Sequence, residues 1–139
     1  MRDKKELLRL IFGIIWIFAG LTKIVQLIFS DITETMTGFA DNCMFEFCSE
    51  LIENIAIPNA TAIFILLAFV ETGIGLLILT GGSYTKPGLI GAILLNLAYA
   101  PLFSYYTILV NAPFIIPQVY LLMQNDLNKN YLSGLMSRK

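Results

Sequence analysis

The stretch Ala62-Ile-Phe-Ile-Leu-Leu-Ala-Phe-Val-Glu71-Thr-Gly-Ile-Gly75-Leu-Leu-Ile-Leu-Thr80 is an almost unbroken apolar run with one carboxylate near its middle. At a helical rise of about 1.5 Å per residue, a run of this length matches a hydrocarbon core of about 30 Å. A carboxylate at the centre of a membrane helix costs roughly 2.5–3.5 kcal/mol on insertion scales. A group that unfavourable calls for a partner or a task, and the rest of the chain offers few partners.

Working outward, the flanking chain has the same character. The first apolar run covers about Leu7 to Phe29, too long for a signal-peptide core and without a small-residue cleavage site. It is read as a retained helix. Within it, Gly13 and Gly20 share a face, which lets a neighbouring helix approach closely. Trp16 lies deep in the span, where packing is its expected role, and Arg9 near the inner end is expected to snorkel to the headgroups. Lys23 lies ~24 Å along the axis from Leu7, inside the outer half of the bilayer. A third span is expected from Pro87 to about Ser104 and a fourth from about Tyr106 to Met123. Pro113 and Pro117 fall inside the fourth and should kink it, each leaving a carbonyl without its amide.

Between the first two spans lies a polar connection, residues 30–59, with Asp31, Glu34, Asp41, Glu46, Glu50 and Glu53 but no lysine or arginine. Phe47, Cys48, Leu51, Ile52 and Ile55 recur at the spacing of an amphipathic helix, with Asp41 or Asn42 as its expected cap and Pro58 just past its end. This helix is too short to span and should cover the outer mouth of the bundle.

Composition and charge set the class. The chain has 139 residues, 57% of them hydrophobic and 14% charged, too apolar for a water-soluble core of one domain. If four helices alternate, Arg2, Lys4, Lys5, Arg9, Lys86, Lys129, Arg138 and Lys139 all fall on one side, and the acidic connection on the other. An odd number of spans would scatter them. The positive-inside rule then puts both termini in the cytoplasm and residues 30–59 outside, in a plasma or bacterial inner membrane. The expectation is an all-α membrane protein, a single domain over residues 1–139, forming a four-transmembrane-helix bundle with a short amphipathic helix in its outer loop.

Histidine is absent. That removes the usual general base, the usual haem ligand and the commonest metal ligand. Two cysteines cannot by themselves complete a structural zinc site. No phosphate loop, nucleophile elbow, metal-ligand cluster or basic nucleic-acid face is present. The sequon Asn59-Ala-Thr61 abuts the membrane and is read as chance.

The chemistry-bearing candidates are therefore few. Lys23 and Glu71 are the only full charges well inside the bilayer; straight helices leave them ~9 Å apart in depth. They form a structural ion pair, line a polar-headgroup or proton site, or do not meet. Asn96 and Gln118 lie at mid-depth, with Asn111 nearer the outer end. They serve either interhelical hydrogen bonding or a cavity shared with Glu71, apolar with a few convergent polar groups, as a quinone-like ligand requires. Tyr99, Tyr105, Tyr106 and Tyr120 line that cavity or form interfacial belts. Cys43 and Cys48, on the outer side, do not have the C-x-x-C spacing of a dithiol oxidoreductase. On one continuous helix they would point about 140° apart. If Cys43 precedes the helix, a disulfide can close; free thiols and a redox pair are the alternatives.

Two segments carry a family resemblance. Leu8-Arg-Leu-Ile-Phe-Gly13-Ile-Ile-Trp-Ile-Phe-Ala-Gly20-Leu-Thr-Lys23 resembles the first helix of DoxX-like membrane proteins, and Glu71-Thr-Gly73-Ile-Gly75-Leu-Leu-Ile-Leu-Thr-Gly81 their second. The resemblance implies a four-helix membrane bundle and a place in quinone-coupled oxidation of sulfur compounds or in maturing redox enzymes. Lys23 and Glu71 are the positions that match. The acidic outer segment with its cysteines has no counterpart in the family pattern. The leading expectation is a small membrane subunit of a quinone-linked redox system, an oxidoreductase subunit without its own redox centre. In it Glu71 and Lys23 serve the quinone head group, assisted by Asn96, Gln118 and Tyr99. The alternative is a non-catalytic assembly or accessory subunit docking through its acidic outer helix; a transporter or lipid-handling role is weaker. Lipid is the expected surroundings, with a partner subunit or a second copy, and nucleic acid is not an expected partner.

Overall fold

Lys and Glu are strong helix formers, and they extend the first helix, α1 (Arg2–Phe29), back beyond the expected start at Leu7. The computed structural model describes residues 2–102 and 105–124, with side chains over 4–101 and 111–124. Those residues are helical throughout their regular structure, without strands. The basic tail, residues 125–139, and the side chains of Tyr105 and Tyr106 lie outside the described residues.

The polar connection, residues 30–59, holds more structure than its sequence suggests. Helix α2 (Ile32–Asp41) was not expected; Asp31 caps it, its side chain accepting from the amides of Thr33 and Glu34. The expected amphipathic helix is present as α3 (Glu46–Leu51), continued by a π-helical turn, Ile52–Ala56. Its cap is Phe45, which makes no side-chain bond; neither Asp41 nor Asn42 serves, because α2 has already taken Asp41 as its last residue. Only part of the apolar stripe turns inward. Cys48 and Ile52 are buried, while Phe47, Leu51 and Ile55 remain exposed. The inward set joins Ile32, Met36 and Ala40 of α2 in a small core over Ala60 and Phe64.

Helix α4 (Ala60–Thr80) carries the run around Glu71. It stops at Gly81, whose φ of +79° is open to glycine and strained for other residues. Helix α5 (Thr85–Tyr99) starts two residues ahead of Pro87, leaving the proline in the first turn, where no amide is needed. A 3₁₀ turn, Ala100–Leu102, follows it. Helix α6 (Tyr105–Leu122) runs through Pro113 and Pro117.

The long helices pack in chain order. α1 lies along α4, α4 on α5 and α5 on α6, and α6 returns to α1. The α1–α4 contact is close because it is built on glycine. A Cβ at Gly75 would lie 2.7 Å from the carbonyl oxygen of Gly13 and from the backbone nitrogen of Ile17. Gly20 likewise faces the backbone of Ala68 and Thr72. Phe12, Trp16, Ile74, Ile78, Leu89, Ala92 and Leu121 make the core between the four helices.

Arg9 does not snorkel. It is 5% exposed. Its guanidinium pairs with Glu6 at 2.8 Å and donates to the carbonyl oxygens of Ile78 at 2.5 Å and Leu79 at 2.8 Å. Those carbonyls belong to the last turn of α4, which has no amide to offer them, so Arg9 closes the end of the neighbouring helix.

Among the described residues, two helices are long and apolar enough to cross a membrane: α1 over Lys4–Phe29 and α4 over Ala60–Thr80. Large apolar side chains more than half exposed are found on all four long helices, among them Phe18 and Phe29 of α1, Phe69 of α4, Leu94 of α5 and Ile116 of α6.

Candidate functional site

Antiparallel packing of α1 on α4 brings Lys23 and Glu71 together. The ammonium donates to both carboxylate oxygens, at 2.6 and 2.7 Å. The depth gap expected from straight helices is therefore closed by packing and by the length of the lysine stem. The pair is asymmetric: the Glu71 side chain is 1% exposed and that of Lys23 18%. The carboxylate is thus fully inside the protein, while the lysine side chain that reaches it keeps a small part of its surface exposed.

A third group completes the arrangement. The Tyr99 hydroxyl, from the end of α5, donates to Glu71 at 2.6 Å. The Lys23 ammonium also sits 5.5 Å from the centre of the Tyr99 ring, within cation–π range. Glu71 is thereby answered by two charge-assisted hydrogen-bond donors from two different helices. Arranging three such groups around one buried point is what makes a carboxylate tolerable there.

Beside this triad lies a cleft of about 240 Å³. Its polar walls are Lys23, Glu71, Asn96, Tyr99, Asn111 and Gln118; Ile15, Trp16, Ala19 and Phe114 supply the apolar ones. Every long helix contributes. Asn96 of α5 donates to Gln118 of α6 at 3.4 Å, a long contact joining two side chains that are 9% and 1% exposed. The structure thus gathers all five expected site residues, Lys23, Glu71, Asn96, Tyr99 and Gln118, around one space. Tyr120 is apart from it, with 45% of its surface exposed.

Of the apolar wall residues, none of which was expected there, two are aromatic. Trp16 was read only as a packing residue, and it both packs in the core and faces the cleft. Phe114 had no assigned role; it meets Phe12 edge-on, with ring centres 6.5 Å apart. Its signal in the sequence is its place one helical turn from Gln118, on the same face.

Cys43 lies in the connection between α2 and α3, ahead of the helix that carries Cys48. The chain turns back and the two are bonded as a disulfide, with Cα atoms 6.0 Å apart. The turn is tied to the bundle by the Met44 amide, which donates to the Pro101 carbonyl at 3.1 Å. Among the described residues, no group of histidine, cysteine, aspartate and glutamate is placed to hold a metal ion.

Comparison with family models, curated proteins and solved structures returns no match for this chain.

Proposed function

We propose that this chain is a small integral membrane subunit of a quinone-linked redox system, and that the cleft beside Lys23, Glu71 and Tyr99 binds a quinone-like head group. The observation that carries the reading is a fully buried carboxylate, answered by an ammonium and a phenol, on the wall of a cleft with apolar sides. Ligand sites of this kind combine apolar walls with a few convergent polar groups. At about 240 Å³ the cleft suits a ring-sized head group. The resemblance of the first and second long helices to DoxX-like proteins supports the same reading.

The membrane part of the proposal is a four-span bundle. The exposed apolar side chains on every long helix support it, since soluble monomers rarely expose such contiguous surface. Helix α5 and the 3₁₀ turn after it together reach ~28 Å, and α6 ~27 Å, close to a hydrocarbon core of about 30 Å. In this arrangement both termini are cytoplasmic and residues 30–59 lie outside.

A bound quinone would supply two-electron, two-proton chemistry, with electrons arriving from a partner subunit. This chain's residues do the rest. The ammonium of Lys23, whose side chain lines the cleft, donates a hydrogen bond to a ring carbonyl oxygen. Glu71 holds the ammonium in place and is the group through which a proton can be exchanged with Lys23. Asn96 and Gln118 offer amide donors on the far wall, and Trp16 and Phe114 exclude water.

A second reading is kept on one observation. Asp41, Glu46, Glu50 and Glu53 are exposed on the outer cap beside exposed Phe45 and Phe47. An acidic face with aromatic residues suits docking of a basic partner, in an assembly or accessory role. Extraction of purified protein followed by mass spectrometry tests the two. Quinone that copurifies with wild type and is lost from a folded Glu71→Gln variant is the result expected. A larger membrane complex that copurifies with no small molecule favours the second reading.

A further inference from the structure

A second space lies on the other side of the same residues. Beneath the outer cap is a chamber of about 360 Å³, walled by Met36 of α2, Ile52 and Ala56 of the π-helical turn and Ile63, Phe64 and Leu67 of α4. Its lining is apolar apart from Thr22, Lys23, Gln26 and Tyr99. Lys23 and Tyr99 line both this chamber and the cleft. The two spaces are thus neighbours across the cluster of Lys23, Glu71 and Tyr99.

We infer that the chamber holds the apolar chain of an amphiphile whose polar head lies at Lys23 and Tyr99. Three observations carry this. First, the cleft falls below the roughly 300–1,000 Å³ typical of small-molecule sites, whereas the chamber falls within that range. A head group alone fits the first; its chain needs the second. Second, an apolar-lined space gives water too few partners, so an apolar chain is the favoured filling. Third, Thr22 and Gln26 on the chamber's α1 side are exposed. They leave a lateral mouth that faces lipid if α1 spans, where a chain already dissolved in the bilayer enters sideways.

The shared chemistry is a chain with a hydrogen-bonding head, from either a tailed quinone or a fatty acid. The inference rests on the proposed quinone reading for the identity of the head, and the experiment separates the two. Full-length protein in phosphatidylcholine nanodiscs is titrated calorimetrically with a decyl-benzoquinone and its tailless parent, and with dodecanoate and butyrate. The same titrations are run on Ala56→Phe and Ile63→Phe, which fill the chamber from two different walls; circular dichroism checks that each folds.

In wild type the decyl compound binds at least about tenfold tighter than the tailless one, because buried methylenes add to affinity. Filling the chamber removes most of that difference and leaves the tailless affinity unchanged. Chain dependence found only in the fatty-acid pair, and erased by filling, supports the chamber and overturns the quinone head. Chain dependence absent from both pairs overturns the inference. So does a dependence that both filling substitutions leave intact, which is partitioning into the bilayer.

Discussion

Glu71 has none of its surface exposed, and its environment was partly legible in the sequence. A charge inside an apolar run stands out, and so does the lysine near the end of the run before it. What straight-helix arithmetic misses is that close packing and a long flexible stem bring the two into contact. Tyr99 was legible only as a candidate, because an aromatic residue near a span end suits an interface equally well. Its hydrogen bond to a buried carboxylate has a measurable consequence. Tyr99→Phe keeps the ring and removes the donor, so stability should fall by about 1.5–3 kcal/mol, the usual worth of a hydrogen bond to a charged group. Unfolding in mild detergent checks this; a variant as stable as wild type would show that the phenol does not hold Glu71. Arg9 was misread at this scale because its partners, the carbonyls of Ile78 and Leu79, lie on another helix and cannot be inferred from local spacing.

At the scale of elements, the four apolar runs were legible by length, and their ends shifted by a few residues where charged helix formers or a proline extended them. Helix α2 was missed because Thr33, Thr35, Thr37 and Gly38 lower its intrinsic propensity; the Asp31 cap and the packing of Ile32, Met36 and Ala40 against α4 and the π turn supply the difference. The α1–α4 contact depends on missing side chains. Gly75→Val places a methyl-bearing carbon against the backbone of α1. It should cost about 3 kcal/mol or more through overpacking and separation of Lys23 from Glu71. Thermal unfolding measures the loss, and an unchanged transition would contradict the packing. The opposite sign is expected at Thr85, whose hydroxyl is buried with no partner among the described residues. Thr85→Val should leave stability unchanged or raise it by about 1 kcal/mol; a clear loss would mean that the hydroxyl is satisfied.

At the scale of the molecule, the polar residues around the cleft come from all four long helices, and one disulfide closes a turn in the connection between α2 and α3. Unreduced, denatured protein should show no reactive thiol, and reduction should release both cysteines; a thiol found before reduction would place the cap in another state. The charge segregation along the chain predicts an even number of spans, and that expectation is open to a direct test. Reporter fusions should find the C-terminus in the cytoplasm and residues 30–59 outside, and a split of any other kind would break the four-span reading. The account as a whole turns on Glu71 being held by Lys23, and a double-mutant cycle of Glu71→Gln and Lys23→Met, followed by unfolding in nanodiscs, measures that directly. Each single change should cost about 3 kcal/mol by leaving its partner's charge unanswered, and the double variant should lose well short of the sum. Losses that simply add would mean that the two groups do not meet, and would contradict the account.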